Sequence, residues 1–216
     1  MSTRQIIVID PSIKDPEIEA INNIARRSPL GISIHFPALF GDQTIILSKR
    51  KPAGVIIMGS LASVHDKLPW QDTLQDYIVK MDKASIPILG LCYGHQLLAH
   101  IYGGKVDYLW GGDKKRGVRE VNIRKNYLWS VSQSGPLAYS HMEGVIECPL
   151  GFDVVASSNM IAIEGIASQN KPIWGFQPHL EATEVFLKSH EMEQGFNNAL
   201  GFTILDHFLK FCAEYQ

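Results

Sequence analysis

At 216 residues the chain has the length of one domain, expected to span 1–216, and can bury about 70% of the surface its unfolded form would expose. Twenty basic residues against 22 acidic ones leave a net charge of −2, which excludes recruitment of nucleic acid or an anionic membrane by bulk electrostatics. Three cysteines without paired spacing argue against a disulfide framework and for a reducing, cytoplasmic setting, and no apolar run approaches the roughly 20 residues of a membrane span.

Met1 to Gln5 run directly into the first apolar segment, so no leader is expected. Ile6 to Asp10 is a continuous apolar run broken by Asp-Pro and predicts a central parallel strand. Pro16 to Arg27 places Ile18, Ile21, Ile24 and Ala25 at helical spacing, and Ile32 to Phe36 reads as a second strand, completing a βαβ unit. Ala53 to Met58 gives a third strand, Trp70 to Lys83 an amphipathic helix, Ile86 to Leu91 a fourth strand, and Gly94 to about Ile101 the helix behind it. Alternation of this kind predicts an α/β fold, a doubly wound and mostly parallel sheet flanked by helices. From Lys105 to about Ala167 the pattern changes to short strands and turns, which predicts a smaller antiparallel addition before Ile173 to Phe176 rejoins the main sheet. Within it, Lys114, Lys115, Arg116, Arg119, Arg124 and Lys125 read as a solvated loop, with docking of an acidic partner as the alternative. Glu184 to Asn198 predicts a helix plus a loop. His190, Glu191 and Glu193 cluster there without the number and spacing of ligands that a metal site needs, so no metal is expected. Asn197 to Ala213 is a final helix with Phe202, Leu205, Phe208 and Leu209 along one core-facing stripe.

Chemistry concentrates where the fourth strand stops. Ile88 to Gln96 is an apolar strand that ends at Cys92 and turns at once into a helix, with Gly90 and Gly94 two residues to either side, where a sharp turn crowds the backbone. The helix N-terminus faces the sulfur and favours thiolate over thiol. A buried core cysteine beside a βα loop is the competing reading. A nucleophilic cysteine needs a base, and the base needs a group that orients it. His179 and Glu181, after the Pro172 to Gln177 run, supply both, because two residues apart on turning backbone their side chains can share one side of the chain.

With these residues identified, the chain resembles the class I, triad-type glutamine amidotransferase family from the first strand near Ile6 to about Thr183. The resemblance rests on Gly90-Leu91-Cys92-Tyr93-Gly94-His95-Gln96 and on Gln177-Pro178-His179-Leu180-Glu181. Tyr139 to Val145 is similar to the family's Ser-His-x-Asp-x-Val segment, known from the glutaminase part of GMP synthases, and Val55 to Val64 to the segment that helps form an oxyanion hole. The resemblance implies catalytic Cys92, His179 and Glu181, and an oxyanion hole from backbone N–H groups of Gly59, Ser60 and Tyr93. It also implies that Gln96, Ser140, His141 and Glu143 hold the amino-acid end of glutamine. No cofactor is implied, and the ammonia acceptor would be a separate synthetase polypeptide.

Departures from the family pattern are local. Gly59-Ser60-Leu61 stands where the family has Gly-Gly-Pro, Leu180 replaces the proline between His179 and Glu181, and Glu143 replaces an aspartate thought to grip the substrate's amino group. Two other readings stay open. One is a hydrolase of γ-glutamyl peptides or amides, favoured by Glu143 and Ser60-Leu61. The other is a non-catalytic binding or regulatory module, against which the presence of Cys92, His179 and Glu181 together argues.

Overall fold

The computed structural model describes residues 4–47, 52–193 and 195–215. Met1 to Thr3 of the expected run-in and Gln194 in the 184–198 segment lie outside the described residues. In chain order come β1 (Gln5–Ile9), α1 (Ile18–Arg27), β2 (Ile32–His35), α2 (Pro37–Phe40), α3 (Gln43–Leu47), β3 (Pro52–Ile57), α4 (Pro69–Lys83), β4 (Ile88–Leu91) and α5 (Tyr93–Ile101). They are followed by β5 (Lys105–Tyr108), β6 (Lys115–Ile123), β7 (Gln133–His141), β8 (Glu143–Glu147), β9 (Phe152–Ser157), β10 (Gly165–Ser168), β11 (Ile173–Phe176), α6 (Glu184–Ser189) and α7 (Ala199–Glu214).

The main sheet has nine strands in the order β2-β1-β3-β4-β11-β10-β9-β6-β7. The first five are parallel, and pairing turns antiparallel from β11 to β10 onward. β5 and β8 form a separate antiparallel ribbon. The expected α/β sheet with its antiparallel addition is therefore present, and the addition extends the main sheet as well as forming the ribbon. The short helices α2 and α3 were not expected. Pro37 at the start of α2 has a ring that already holds the helical φ, so four residues suffice for a turn too short to show periodicity.

Side chains along the parallel strands alternate between two cores. Ile6 and Val8 of β1, Leu89 and Leu91 of β4, and Trp174 and Phe176 of β11 face one core with Ala20, Ile21 and Ile24 of α1 and Ile204, Leu205, Phe208 and Leu209 of α7. Ile7 and Ile9, Val55 and Ile57, Ile88 and Ile173 face the other, with Leu74 and Ile78 of α4 and Leu97 and Leu98 of α5. A strand buried on both faces has no polar alternation to show, which is why these segments read as unbroken apolar runs. Among the described residues no helix is long and apolar enough to cross a membrane.

The basic cluster corrects one expectation. Lys115 to Arg119 are not loop residues but part of β6, paired with β7 along its whole length. Arg119 points inward, where its guanidinium donates to the Glu164 carboxylate at 2.6 Å and lies 4.0 Å over the Tyr139 ring. A pleated strand sends alternate residues to opposite faces, so the cluster is divided between solvent and interior.

Candidate active site

Four adjacent parallel strands end at one edge of the sheet. Asp10 follows β1, Met58-Gly59 follow β3, Cys92 follows β4 and Gln177 follows β11. Because β1 pairs with β2 on one side and β3 on the other, this edge lies at the topological switch point, where open α/β sheets form their clefts.

Cys92 sits at the elbow with φ 51° and ψ −103°, a conformation costing a non-glycine residue on the order of 1–3 kcal/mol, and it is the N-cap of α5. The two flanking glycines are required by contact. A Cβ on Gly90 would stand 2.4 Å from the Gly94 backbone, and one on Gly94 would stand 2.3 Å from the Ile57 carbonyl oxygen. Close packing of α5 against β3 and β4 thus holds the strained turn in place.

His179 follows β11, and its backbone N–H donates to the Ala138 carbonyl of β7 at 2.9 Å. Its Nδ1 lies 2.9 Å from Glu181 Oε1, and both side chains are buried. Burial pulls the imidazole's pKa down, but the Glu181 carboxylate, the neighbouring Cys92 sulfur and the hydrogen bond to Glu181 outweigh it and lift the value to about 10. Sulfur, imidazole and carboxylate from the two distant motifs therefore meet, with the ring between the other two. Phe186 of α6 packs on the imidazole at 4.4 Å between ring centres. A cysteine beside an oriented imidazole has the parts needed for nucleophilic acyl chemistry.

Gly59 packs against this group so closely that a Cβ there would lie 2.9 Å from His179 Cε1 and 3.5 Å from Cys92 Cβ. Ser60, in the place of a second glycine, stabilises the loop itself. Its hydroxyl donates to the Pro11 carbonyl at 2.7 Å and accepts from the Ala62 N–H at 3.1 Å. Tyr93 is the first residue of α5, so its N–H has no partner within the helix and remains near the sulfur.

On the other side of Cys92 a cavity of about 140 Å³ is lined by Gln96, Ser140, His141 and Glu143 among others. Glu143 accepts from the Ser63 hydroxyl at 2.8 Å, which fixes the longer carboxylate at the cavity wall. The other expected substrate residues are partly committed to one another. Gln96 Nε2 donates to the Glu143 carbonyl at 2.8 Å and to Gln177 Oε1 at 3.2 Å. His141 Nδ1 is 2.7 Å from the same carbonyl, and its Nε2 is 3.0 Å from Arg119 Nη2. Burial, then the Arg119 charge, depress the His141 pKa to about 3, so the ring is neutral. His95 of the cysteine motif is likewise held neutral by burial, its pKa pushed down to about 3 against the β11 backbone, and acts as packing.

Several residues of the site were given no role in it by the sequence reading. Gln177 Nε2 donates to Cys92 Sγ at 3.6 Å. Arg119 and Glu164 stand behind His141, and Ser63 behind Glu143. Glu17, near the start of α1, lines the cavity on the His179 side, and burial raises its pKa to about 7. Gln177 alone had a signal, its place directly before Pro178-His179. His190 turns its Nδ1 to the Phe186 carbonyl and Glu191 pairs with Arg116, so that acidic and imidazole cluster is occupied locally.

Residues 13–199 match the family model for glutamine amidotransferase class-I. The glutamine-hydrolysing GMP synthase of Mesoplasma florum is 30% identical over 199 residues, covering 91% of this chain and 36% of that protein. That of Caldicellulosiruptor saccharolyticus is 32% identical over 134 residues, covering 62% of this chain and 25% of that protein. The chain thus spans about a quarter to a third of the length of these curated relatives. A glutamine amidotransferase structure from Thermotoga maritima superposes with a TM-score of 0.76 at 17% identity, covering 99% of this chain and 100% of that one. Another from Methylobacillus flagellatus gives 0.72 at 17% identity, covering 98% and 93%. These structural likenesses speak for the fold, and the family model, matching most of the chain, speaks for descent. The chain belongs to the class I glutamine amidotransferase family and is GMP synthase-like within it.

Proposed function

We propose that the chain hydrolyses the side-chain amide of glutamine through a γ-glutamyl thioester on Cys92 and passes the ammonia to a synthetase on a separate polypeptide. The reading is carried by one observation, the buried 2.9 Å bond from His179 to Glu181 on a ring close enough to the Cys92 sulfur to feel its charge. The Cys92 thiolate attacks the amide carbon, and the oxyanion is stabilised by backbone N–H groups of Tyr93 and of the Gly59-Ser60 loop. Imidazolium His179 protonates the departing nitrogen. The neutral ring then takes a proton from the water that cleaves the thioester, releasing glutamate and restoring the thiolate. Glu181 holds the ring's orientation throughout. Gln96, Ser140, His141 and Glu143 shape the seat of the amino-acid end, and a GMP-forming synthetase is the acceptor suggested by the relatives.

Glutamate release from glutamine by the purified chain, with and without added synthetase, tests the reading. Cys92→Ala should leave no measurable turnover, and Glu181→Ala should lose about 100-fold or more in kcat while retaining some. Undiminished activity of Cys92→Ala ends the proposal.

A further inference from the structure

The carboxylate of Asp10, just past the end of β1, takes no part in the reaction described above, yet it is wholly buried at the sheet edge that carries Cys92. Its bonds all go to the segment that follows it. Oδ1 accepts from the backbone N–H of Ser12 at 2.9 Å and from the Ser12 hydroxyl at 2.5 Å, and Oδ2 accepts from the Glu17 N–H at 3.0 Å. The first of these closes an Asx turn around Pro11, whose ring already fixes φ, so the direction of the Pro11 carbonyl is set. That carbonyl accepts from the Ser60 hydroxyl at 2.7 Å, and the same hydroxyl accepts from the Ala62 N–H at 3.1 Å. One hydroxyl thus joins the loop after β3 to the loop after β1, 49 positions away in the chain.

We propose that Asp10 and Ser60 are positioning residues for the oxyanion. Asp10 sets the Pro11 carbonyl, that carbonyl holds the Ser60 hydroxyl, and the hydroxyl fixes the loop whose backbone N–H groups face the substrate oxygen. The proposal rests on the thioester reading above and deepens it. A Gly-Gly-Pro loop is stiffened by its proline, which restricts its own backbone and that of the residue before it. Leu61 lacks that restraint and is 58% exposed, so packing does not replace it. The tie to Pro11 does. Gly59, lodged against His179 and Cys92, fixes one end of the loop, and Ser60 fixes the next residue along. Donors stabilise a developing oxyanion fully only when they are aimed before the charge appears, so a loop free to turn its N–H groups forfeits part of that stabilisation.

The test is steady-state glutaminase kinetics of the full chain, with inhibition by glutamate γ-semialdehyde and by glutamate. The aldehyde carbon takes the Cys92 sulfur and its oxygen then occupies the oxyanion position, whereas glutamate binds without that bond. Ser60→Ala should lower kcat about 10-fold and weaken the aldehyde by about the same factor, with KM for glutamine and inhibition by glutamate moved less than about 2-fold. Ser60→Thr keeps the hydroxyl and should restore most of the loss. Asp10→Asn should lower kcat to a similar extent. Asp10 is also within electrostatic reach of Glu17 and Glu181, but a charge effect through them would add to that of Ser60→Ala, whereas loss of the same tie would not. The double variant should therefore be no slower than the slower single one. Pro11→Gly leaves every charge in place and gives a second such cycle if Asp10→Asn fails to fold. Wild-type kcat in Ser60→Ala, equal weakening of aldehyde and glutamate, or additive losses in the cycle overturns the positioning assignment and leaves the glutaminase reading standing. No glutamate from the unaltered chain, with no labelling of Cys92 by 6-diazo-5-oxonorleucine, removes both.

Discussion

Glu17 couples the charge state of the site to pH. Burial, helped by the repulsion of Glu181, Asp10 and Asp15 and opposed by a smaller pull from His179, raises its pKa from the usual carboxylate range to about 7. The folded state therefore binds this proton more tightly than the unfolded one. Stability from it is complete below about pH 4.5 and is lost as pH rises through 7. Glu17→Gln should accordingly raise the melting temperature at pH 8 and leave it unchanged at pH 4, as read by thermal denaturation at the two values. The same substitution removes a negative charge beside the His179 imidazolium, so the alkaline limb of kcat/KM, set near pH 10 by His179, should move to lower pH. An unchanged limb would mean that Glu17 lies too far from the ring to act on it. Residues of this kind were not legible in the sequence. Cys92, His179 and Glu181 announce themselves through local spacing, whereas Glu17, Arg119 and Ser63 owe their roles to partners between 22 and 162 positions away.

At the scale of elements, α7 holds the turn that carries the candidate base. Asn198, its N-cap, donates from Nδ2 to the carbonyls of Leu180 and Ala182, both at 2.9 Å, tying together the residues on either side of Glu181. Asn198→Ala leaves two buried carbonyls without those donors and should cost about 1–3 kcal/mol of stability. Its mark on activity should be a fall in kcat larger than any rise in KM, since the imidazole's partner is displaced while the glutamine seat is untouched. Steady-state kinetics alongside chemical denaturation separate the two effects, and wild-type kcat in a destabilised protein would remove Asn198 from the positioning role. The tie could not be anticipated because Asn198 falls in the stretch with the weakest periodicity. Parallel strands were legible for the opposite reason, that burial on both faces makes them continuously apolar. β6 was misread as a loop because Lys115, Arg116 and Glu120 are charged and exposed. Its inward set of Arg119, Val121 and Ile123 reads as a strand only when the buried arginine is counted with the apolar residues.

Taken as a whole, the described residues form two large cores with one sheet between them, beside a smaller cluster of Ala138, Ala182, Phe186, Leu187 and Met192. Trp174 belongs to the core shared with α1 and α7, and Trp70 to the core shared with α4 and α5. Neither core closes without β1, β3, β4 and β11, and the antiparallel strands β6 and β7 complete the first through Val121, Ile123 and Leu137. Loss of either helical layer exposes one whole face of the same strands, an area neither half can leave in water and stay folded. The chain should therefore unfold as one cooperative unit, as a single domain spanning its length would. Variants retaining only Trp174 or only Trp70 should give fluorescence midpoints that coincide with each other and with loss of far-ultraviolet circular dichroism. Midpoints separated by several degrees would mean that one helical layer leaves the sheet before the other, and the two faces of the parallel strands would then not be a single cooperative unit.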